Sequence, residues 1–454
     1  MDRATSLRDR PTAGTDRRPG VRLPATLAQP SVLYPLLGVL AWIALLAIAR
    51  AVGVDLYNRD PLIRIGAPPV VGQLDVRLSA LVLPALAVAA FAVAYAPVPA
   101  QRLPFRWLLA GAWLAAAGWA VSLALVDGPE ALPAPLQTRY EYLNDVPLVT
   151  SPGDFLATFT DRIDGYSTHT RGHPPLMVLV FWAMSRIGLG GGIPATVLVI
   201  GAGAVAAPAV LVAAREVAGE AQARRAAPFV VFAPLAVWVA TSADALFMGV
   251  AATGVAMFAV ATGRQGRGAL LLAAGAGVVL GLGLHLTYGL APLGALVLAI
   301  AVVRRRPGPL VAASAGVLAV ALAFVANGFW WLDGLFATHD QYAEGVASRR
   351  PYLEFLAISF GAFALAVGPA AFAGVAALRD RRLWILVGGG LVAVAASGLS
   401  GLSRGETERI WLPFMPWVLL AAAALGVTRG ASRAWVGLQV AVAIAVQVGI
   451  HTPW

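Results

Sequence analysis

The stretch HPPLMVLVFWAMSRIG, residues 173–188, decides how the rest of the chain is laid out. It is apolar enough to enter a membrane. It offers only about 15 residues against the roughly 20 that a crossing helix needs, and it contains Arg186. Longer apolar runs lie on both sides of it. Reading those as spans gives helices near residues 33–52, 78–97, 106–126, 193–214, 226–241, 244–262, 268–284, 288–303, 309–327, 353–377, 383–399, 410–427 and 434–450, about thirteen in all. If 173–188 stays on one side, the N-terminus and the loops VPAQRLPFR, REVAGEAQARR, TGRQGRG, RRRPG, RDRR and TRGASR collect together. That side then holds 21 of the 33 Arg, the opposite side holds 11, and Arg50 ends the first span. The acidic residues divide the other way, 6 against 17. A crossing at 173–188 would invert every later loop and largely cancel this bias. The segment therefore reads as a helix lying in, or dipping into, the outer interface, with a cytoplasmic N-terminus and an extracytoplasmic C-terminus.

Composition agrees with this layout. Of the 454 residues, 59% are hydrophobic and 12% charged, about half the charge of an ordinary soluble domain. The fold class expected is an all-α polytopic membrane protein, with short interfacial helices in one large outer loop at 127–192. Residues 1–30 read as a disordered cytoplasmic tail, and 31–454 as a single transmembrane domain. No cysteine is present, which excludes disulfides, thiolate metal sites and cysteine nucleophiles. Every basic residue is Arg, as codon bias in a GC-rich genome would produce. The net charge of +10 fits cytoplasmic loops held by the positive-inside rule, so no nucleic-acid partner is implied.

Chemistry concentrates on the outer side, which carries all five His and most acids. Leu136–Asp145 reads as a short helix with Glu141 and Asp145 four apart on one face, either as functional carboxylates or as a solvated face. Ser151, Pro152 and Asp154 read as the start of a helix whose Phe155, Leu156, Phe159 and Ile163 bed into the membrane surface. In YSTHTRGHPP (166–175), His169 and His173 have the spacing of a zinc pair. Pro174 drives His173 out of helical geometry, so the two imidazoles are not expected to share a face. The prolines instead suggest a stiff corner that aims Arg171 and His173 at a phosphate headgroup, of a substrate or of bulk lipid. SRGETERIW reads either as Arg404 and Arg409 cradling phosphate, held by Glu406 and Glu408, or as a self-neutralised surface loop. His285 and Tyr288, in HLTYG, read as an interfacial anchor.

YEYL, an amphipathic segment and then HPPL before an apolar helix resemble the first outer loop of GT-C glycosyltransferases. The likeness is to the branch holding protein O-mannosyltransferases and lipid A aminoarabinose transferases. LVAAREVAGEAQARRAA and PLAVWVATSADALFMG resemble that family's next cytoplasmic turn and later outer turn, and SRGETERIWLPFMP echoes it further on. The resemblance covers roughly 106–300. The sequence departs from it where Arg139-Tyr140, rather than an adjacent Asp-Glu pair, precedes the aromatics, and in the two spans that come first. The resemblance implies an inverting transferase at the outer face of a bacterial cytoplasmic membrane. Its donor would be a polyprenyl-phosphate sugar (mannose or arabinose), and its acceptor a glycan, glycolipid or protein. Glu141 or Asp145 would be the base. His169, Arg171, His173, Arg404 and Arg409 would meet the donor phosphate, with Tyr142, Asp244, His285 and Glu406 in support. No cofactor is required. A divalent metal held by Glu141, Asp145 or Asp244 with a His is the variant reading. The rival class is a multi-pass lipid or solute transporter or flippase, which should show broken helices or buried charge.

Overall fold

The structure is a computed structural model that describes residues 29–240 and 242–453; the expected disordered tail falls outside them up to residue 28. It is almost wholly helical. Among the described residues seven helices are long and apolar enough to cross a membrane: Pro30–Arg59, Phe105–Asp127, Gly192–Ala218, Ala243–Thr262, Arg267–Leu286, Pro307–Ala326 and Arg429–Gly449. Tyr352–Val367 and Pro369–Ala377 make an eighth if they count as one span bent by 92°. The chain is thus an all-α, multi-pass membrane protein. The remaining expected spans are shorter or broken. Residues 226–241 become the end of Glu220–Val231 followed by a 3-10 turn at Pro234–Trp238, because Pro234 has no N–H to continue the helix.

The bend shows how a break survives inside such a fold. Gly368 adopts φ +75°, and Pro369 follows it. Buried Gln439 fills the gap: its Nε2 donates to Val367 O at 2.9 Å and its Oε1 accepts from Ala370 N at 3.2 Å. The backbone groups freed by the break are met by a side chain rather than left bare in an apolar medium. Elsewhere small residues set the packing. A Cβ on Gly277 would collide with the Ala313 carbonyl of the neighbouring helix, and one on Gly249 with that of Ala202.

Polar contacts gather at the two ends of the bundle. At one end Arg224 donates to Ala100 O and Leu103 O, Gln222 to Asp380, Arg304 to Glu216 O, and Arg433 to Ala94 O. At the other, Arg77 meets Asp127 and the Ile450 carbonyl, Val71 N–H reaches Glu408, Arg350 reaches Ile63 O, and Arg409 reaches Asp244. These are the two loop sets that the Arg partition separates. Leu176–Arg186 packs on the turns Tyr142–Asn144 and Val146–Leu148. The chain beyond it is still at the same end, because Gln137 abuts Gly192 and Thr196 donates to Leu132 O at 3.1 Å. An 11-residue helix, about 16 Å long, leaves and returns without crossing the bundle, as the charge count requires.

Candidate functional site

Five segments meet at the second end: 61–77, the loop 127–175, Ser242–Asp244, 331–350 and 400–409. The loop 136–148 is not the α-helix expected. In place of the expected helix Leu136–Asp145 there is a run of 3-10 turns at Pro135–Gln137, Tyr142–Asn144 and Val146–Leu148, with Thr138 and Glu141 extended between them. Glu141 itself is extended (φ −96°, ψ 158°). Its neighbour Tyr140 accepts His169 N–H at 2.9 Å, which lays the two strands of the loop side by side.

Glu141 and Asp145 are both buried, but they do not share a face and they serve different partners. Asp145 Oδ2 accepts from Ser167 N at 3.0 Å and Ser167 Oγ at 2.6 Å, tying down the residue just before the short helix Thr168–Arg171. Glu141 Oε1 lies 2.7 Å from His169 Nδ1. On its other side His169 Nε2 is 3.1 Å from Arg409 Nη2. A guanidinium only donates, so Nε2 is the acceptor and Nδ1 carries the proton that goes to Glu141. Arg409 also donates to Asp244 Oδ2 at 2.6 Å and to Glu406, and Asp244 accepts from Ser242 Oγ at 2.7 Å. The result is a buried relay, Glu141–His169–Arg409, backed by Asp244 and Glu406.

Electrostatics follow from that packing. Burial opposes the charge on Glu406, but Arg409 and then Arg350 outweigh it and hold its carboxyl below the usual range. For Glu408 the help from Arg409 is too small, and the Glu406 charge works against it. Burial raises its pKa to about 7, even though its Oε1 accepts Val71 N–H at 3.3 Å. Among the described residues its expected ion pair with an Arg is absent, because Arg409 turns to Asp244 and Glu406. Tyr142, packed 6.0 Å from the His169 ring and 5.7 Å from His173, is pushed well up, first by burial and then by Asp244 and Glu141. Burial lowers His173 to about 4, so its imidazole is neutral at pH 7, with Nδ1 donating to His169 O at 2.8 Å.

Not all expected residues join the cluster. Arg171 reaches Gln341 at 3.3 Å. Arg404 donates to the carbonyls of Ala347 and Arg350, at 3.3 and 3.0 Å, while its N–H meets Tyr342 Oη. Both act as clamps between loops, so the phosphate cradle of Arg171, Arg404 and Arg409 is not assembled. His285 is buried and stacked on Phe324 with ring centres 4.0 Å apart, and it joins none of the contacts of the relay. Ser151 caps Pro152–Thr158 as expected. The apolar stripe Phe155, Leu156, Phe159 and Ile163 faces inward, however. Phe155 and Phe159 pack on Tyr166, and Phe159 also meets Phe329, which offers a closer fit than lipid. Among the described residues no three His, Asp or Glu side chains are grouped to hold a metal ion. The sequence reading missed Ser167 and Ser242, although the small polar residue beside each acid was visible. It also missed the role of Arg350.

The fold and site define a multi-pass helical membrane protein with a buried carboxylate–imidazole–guanidinium relay under its loops. The chain matches no protein-family model, no curated protein and no solved structure.

Proposed function

We propose that the chain is an inverting membrane glycosyltransferase of GT-C type. It would have about thirteen membrane-embedded segments and its site on the extracytoplasmic face of a bacterial cytoplasmic membrane. It moves a sugar, mannose or arabinose, from a polyprenyl-phosphate donor to an envelope glycan, glycolipid or protein. One observation carries the reading: Glu141 Oε2 is buried and has no hydrogen-bond partner among the described residues, while Oε1 is fixed by His169. A buried carboxylate oxygen left open is the acceptor a general base needs.

In the reaction the acceptor hydroxyl gives its proton to Glu141 Oε2 as its oxygen bonds to the sugar anomeric carbon. The bond from that carbon to the phosphate oxygen breaks on the opposite face, and polyprenyl phosphate leaves with the electron pair. Phosphate is a good leaving group and needs cationic stabilisation rather than a general acid. The His169–Arg409 relay keeps the carboxylate oriented through the transfer, and Asp145 positions His169 by holding Ser167.

The test is transfer of radiolabelled mannose or arabinose from polyprenyl phosphate to envelope acceptors by protein in nanodiscs. Glu141→Gln should lower turnover by roughly two to four orders of magnitude while keeping donor affinity. An amide variant that turns over like the wild type would sink the assignment. The 92° break at Gly368 favours a second reading, a transporter, since broken helices line transport sites. Lipid or solute counterflow in proteoliposomes, without sugar transfer, would select it.

A further inference from the structure

We infer that the apolar groove between the helices Leu83–Tyr95 and Arg429–Gly449 holds an acyl chain of an anionic phospholipid, whose phosphate is met by Arg433. The site lies at the opposite end of the bundle from the relay and serves no step of sugar transfer. It rests only on the multi-pass membrane character of the chain, so it stands or falls apart from the transferase reading.

Shape comes first. The open groove has a volume of about 790 Å³, within the roughly 300–1,000 Å³ of clefts that take a small molecule. Leu86, Ala90, Val93 and Val440 line it, and its polar side chains are those of Arg433 and Tyr95. From Leu86 to Tyr95 the helix rises about 14 Å. The polar pair sits at one end of that length, because Tyr95 closes the helix and Arg433 Nη2 donates to Ala94 O at 2.8 Å. Charge then selects the occupant. Among the described residues the exposed Arg433 makes that one hydrogen bond and meets no carboxylate. The bond pins the cation at the end of the groove and leaves most of its five N–H donors open. Arg429, exposed one turn earlier on the same side of its helix, adds a second positive charge, and the first turn of that helix holds no acid. Tyr95 is exposed beside Phe91, with ring centres 5.4 Å apart, in the manner of an aromatic at headgroup level. The occupant is therefore apolar along its length and negative at the Arg433 end. A zwitterionic lipid would bring an ammonium against two guanidiniums, so an anionic headgroup fits better. Basic sites between membrane helices recruit such headgroups, and the fork of an Arg suits phosphate oxygens. A seated lipid would fasten Leu83–Tyr95, whose 13 residues are too few to cross a membrane alone, to the long helix Arg429–Gly449.

The test is equilibrium binding of radiolabelled lipid to the full chain in detergent. The probes are phosphatidylglycerol, phosphatidylcholine and glycerol phosphate, which has a headgroup but no acyl chain. The wild type should show a single saturable site for phosphatidylglycerol and bind the other two at least about tenfold more weakly. Arg433→Gln should weaken phosphatidylglycerol by about ten- to a hundredfold. Ala90→Phe, at an exposed position of the groove, should weaken it by about tenfold or more by filling the space of the acyl chain. Equal affinity for phosphatidylcholine would overturn the site, since its charge would then read nothing. A loss in Arg433→Gln alone would also overturn it and leave a headgroup contact outside the groove. A loss in Ala90→Phe alone would leave an apolar contact without a phosphate partner, and no loss in either variant would leave neither. Should Arg433→Gln fail to fold, the comparison of the two lipids on the wild type and the Ala90→Phe protein decides the matter.

Discussion

Replacing Arg409 by Met removes the only cation that the relay places between Asp244 and Glu406. The side chains of Arg409 and Asp244 are 6% and 4% exposed, and that of Glu406 is 24% exposed. Breaking a buried pair from one side typically costs roughly 3–5 kcal/mol, because the surviving charge stays desolvated and unpaired. The partial exposure of Glu406 pulls this toward the lower figure. A loss of about 3 kcal/mol lowers the thermal midpoint of a chain this long by on the order of 3 °C. The pH dependence is the sharper signature. In the wild type the Glu406 pKa is depressed, so its contribution is present above the ordinary carboxylate range and is lost only as the pH falls through the lower folded value. Glu406 should therefore add no slope to the wild-type midpoint between pH 5 and 8, where the slope that remains is that of Glu408. In Arg409→Met the burial remains and the stronger of the two cations is gone, with Arg350 alone left to oppose it, which raises the Glu406 pKa. Stability is then greatest at acid pH and declines as the pH rises toward 8. Thermal unfolding in detergent, followed by tryptophan fluorescence at pH 5 and pH 8, reads both effects. Arg409→Lys should fall between the two, since an ammonium cannot span three partners in a plane. An Arg409→Met protein with the wild-type midpoint at pH 8, and a pH slope no steeper than that of the wild type, would refute the relay.

Asp145→Asn should keep most of the fold but weaken the two bonds to Ser167, lowering turnover by about tenfold without changing the pH profile; a loss as large as that of Glu141→Gln would make Asp145 the base instead. The Glu408 pKa is raised to about 7 by burial, so the wild type should lose stability as the pH rises from the ordinary carboxylate range through 7. Glu408→Gln should then match it at pH 5 and exceed it in thermal midpoint at pH 8, and equal midpoints at pH 8 would show that the carboxyl is solvated. Cysteines at the exposed positions Leu148 and Gln265 should label from opposite sides of the membrane. An impermeant maleimide on intact cells should reach Leu148→Cys only, and labelling of both would break the alternation of the loops.

The path of the chain was legible in the sequence because charge and length are properties of whole segments. The bias of Arg survives errors of a few residues at each span, and the shortfall of 173–188 does not depend on where its ends are drawn. The structure's return of Leu176–Arg186 to its own end therefore matches a simple count. Which apolar runs are full-length helices was less legible. Hydropathy does not register that Gly368-Pro369 or Pro234 breaks hydrogen bonding, nor that Gln439 is placed to repair one break. The fate of Phe155 and Phe159 was hidden for a related reason. An apolar stripe has the same period whether it meets lipid or protein, and only the positions of Tyr166 and Phe329 decide between them.

The site was legible by residue type but not by pairing. The acids, His and Arg that the sequence singled out at 141, 169, 244, 406 and 409 do come together, because each lies on a loop at the same end. The assignment of Arg was harder, since every Arg on that face has the same chemistry in one dimension. What separates them is whether a partner has already taken the guanidinium. Asp244, His169 and Glu406 bind Arg409, and backbone carbonyls bind Arg404 and Arg350. Those three are structural cations, and an incoming anion would have to displace bonds already made in a buried place.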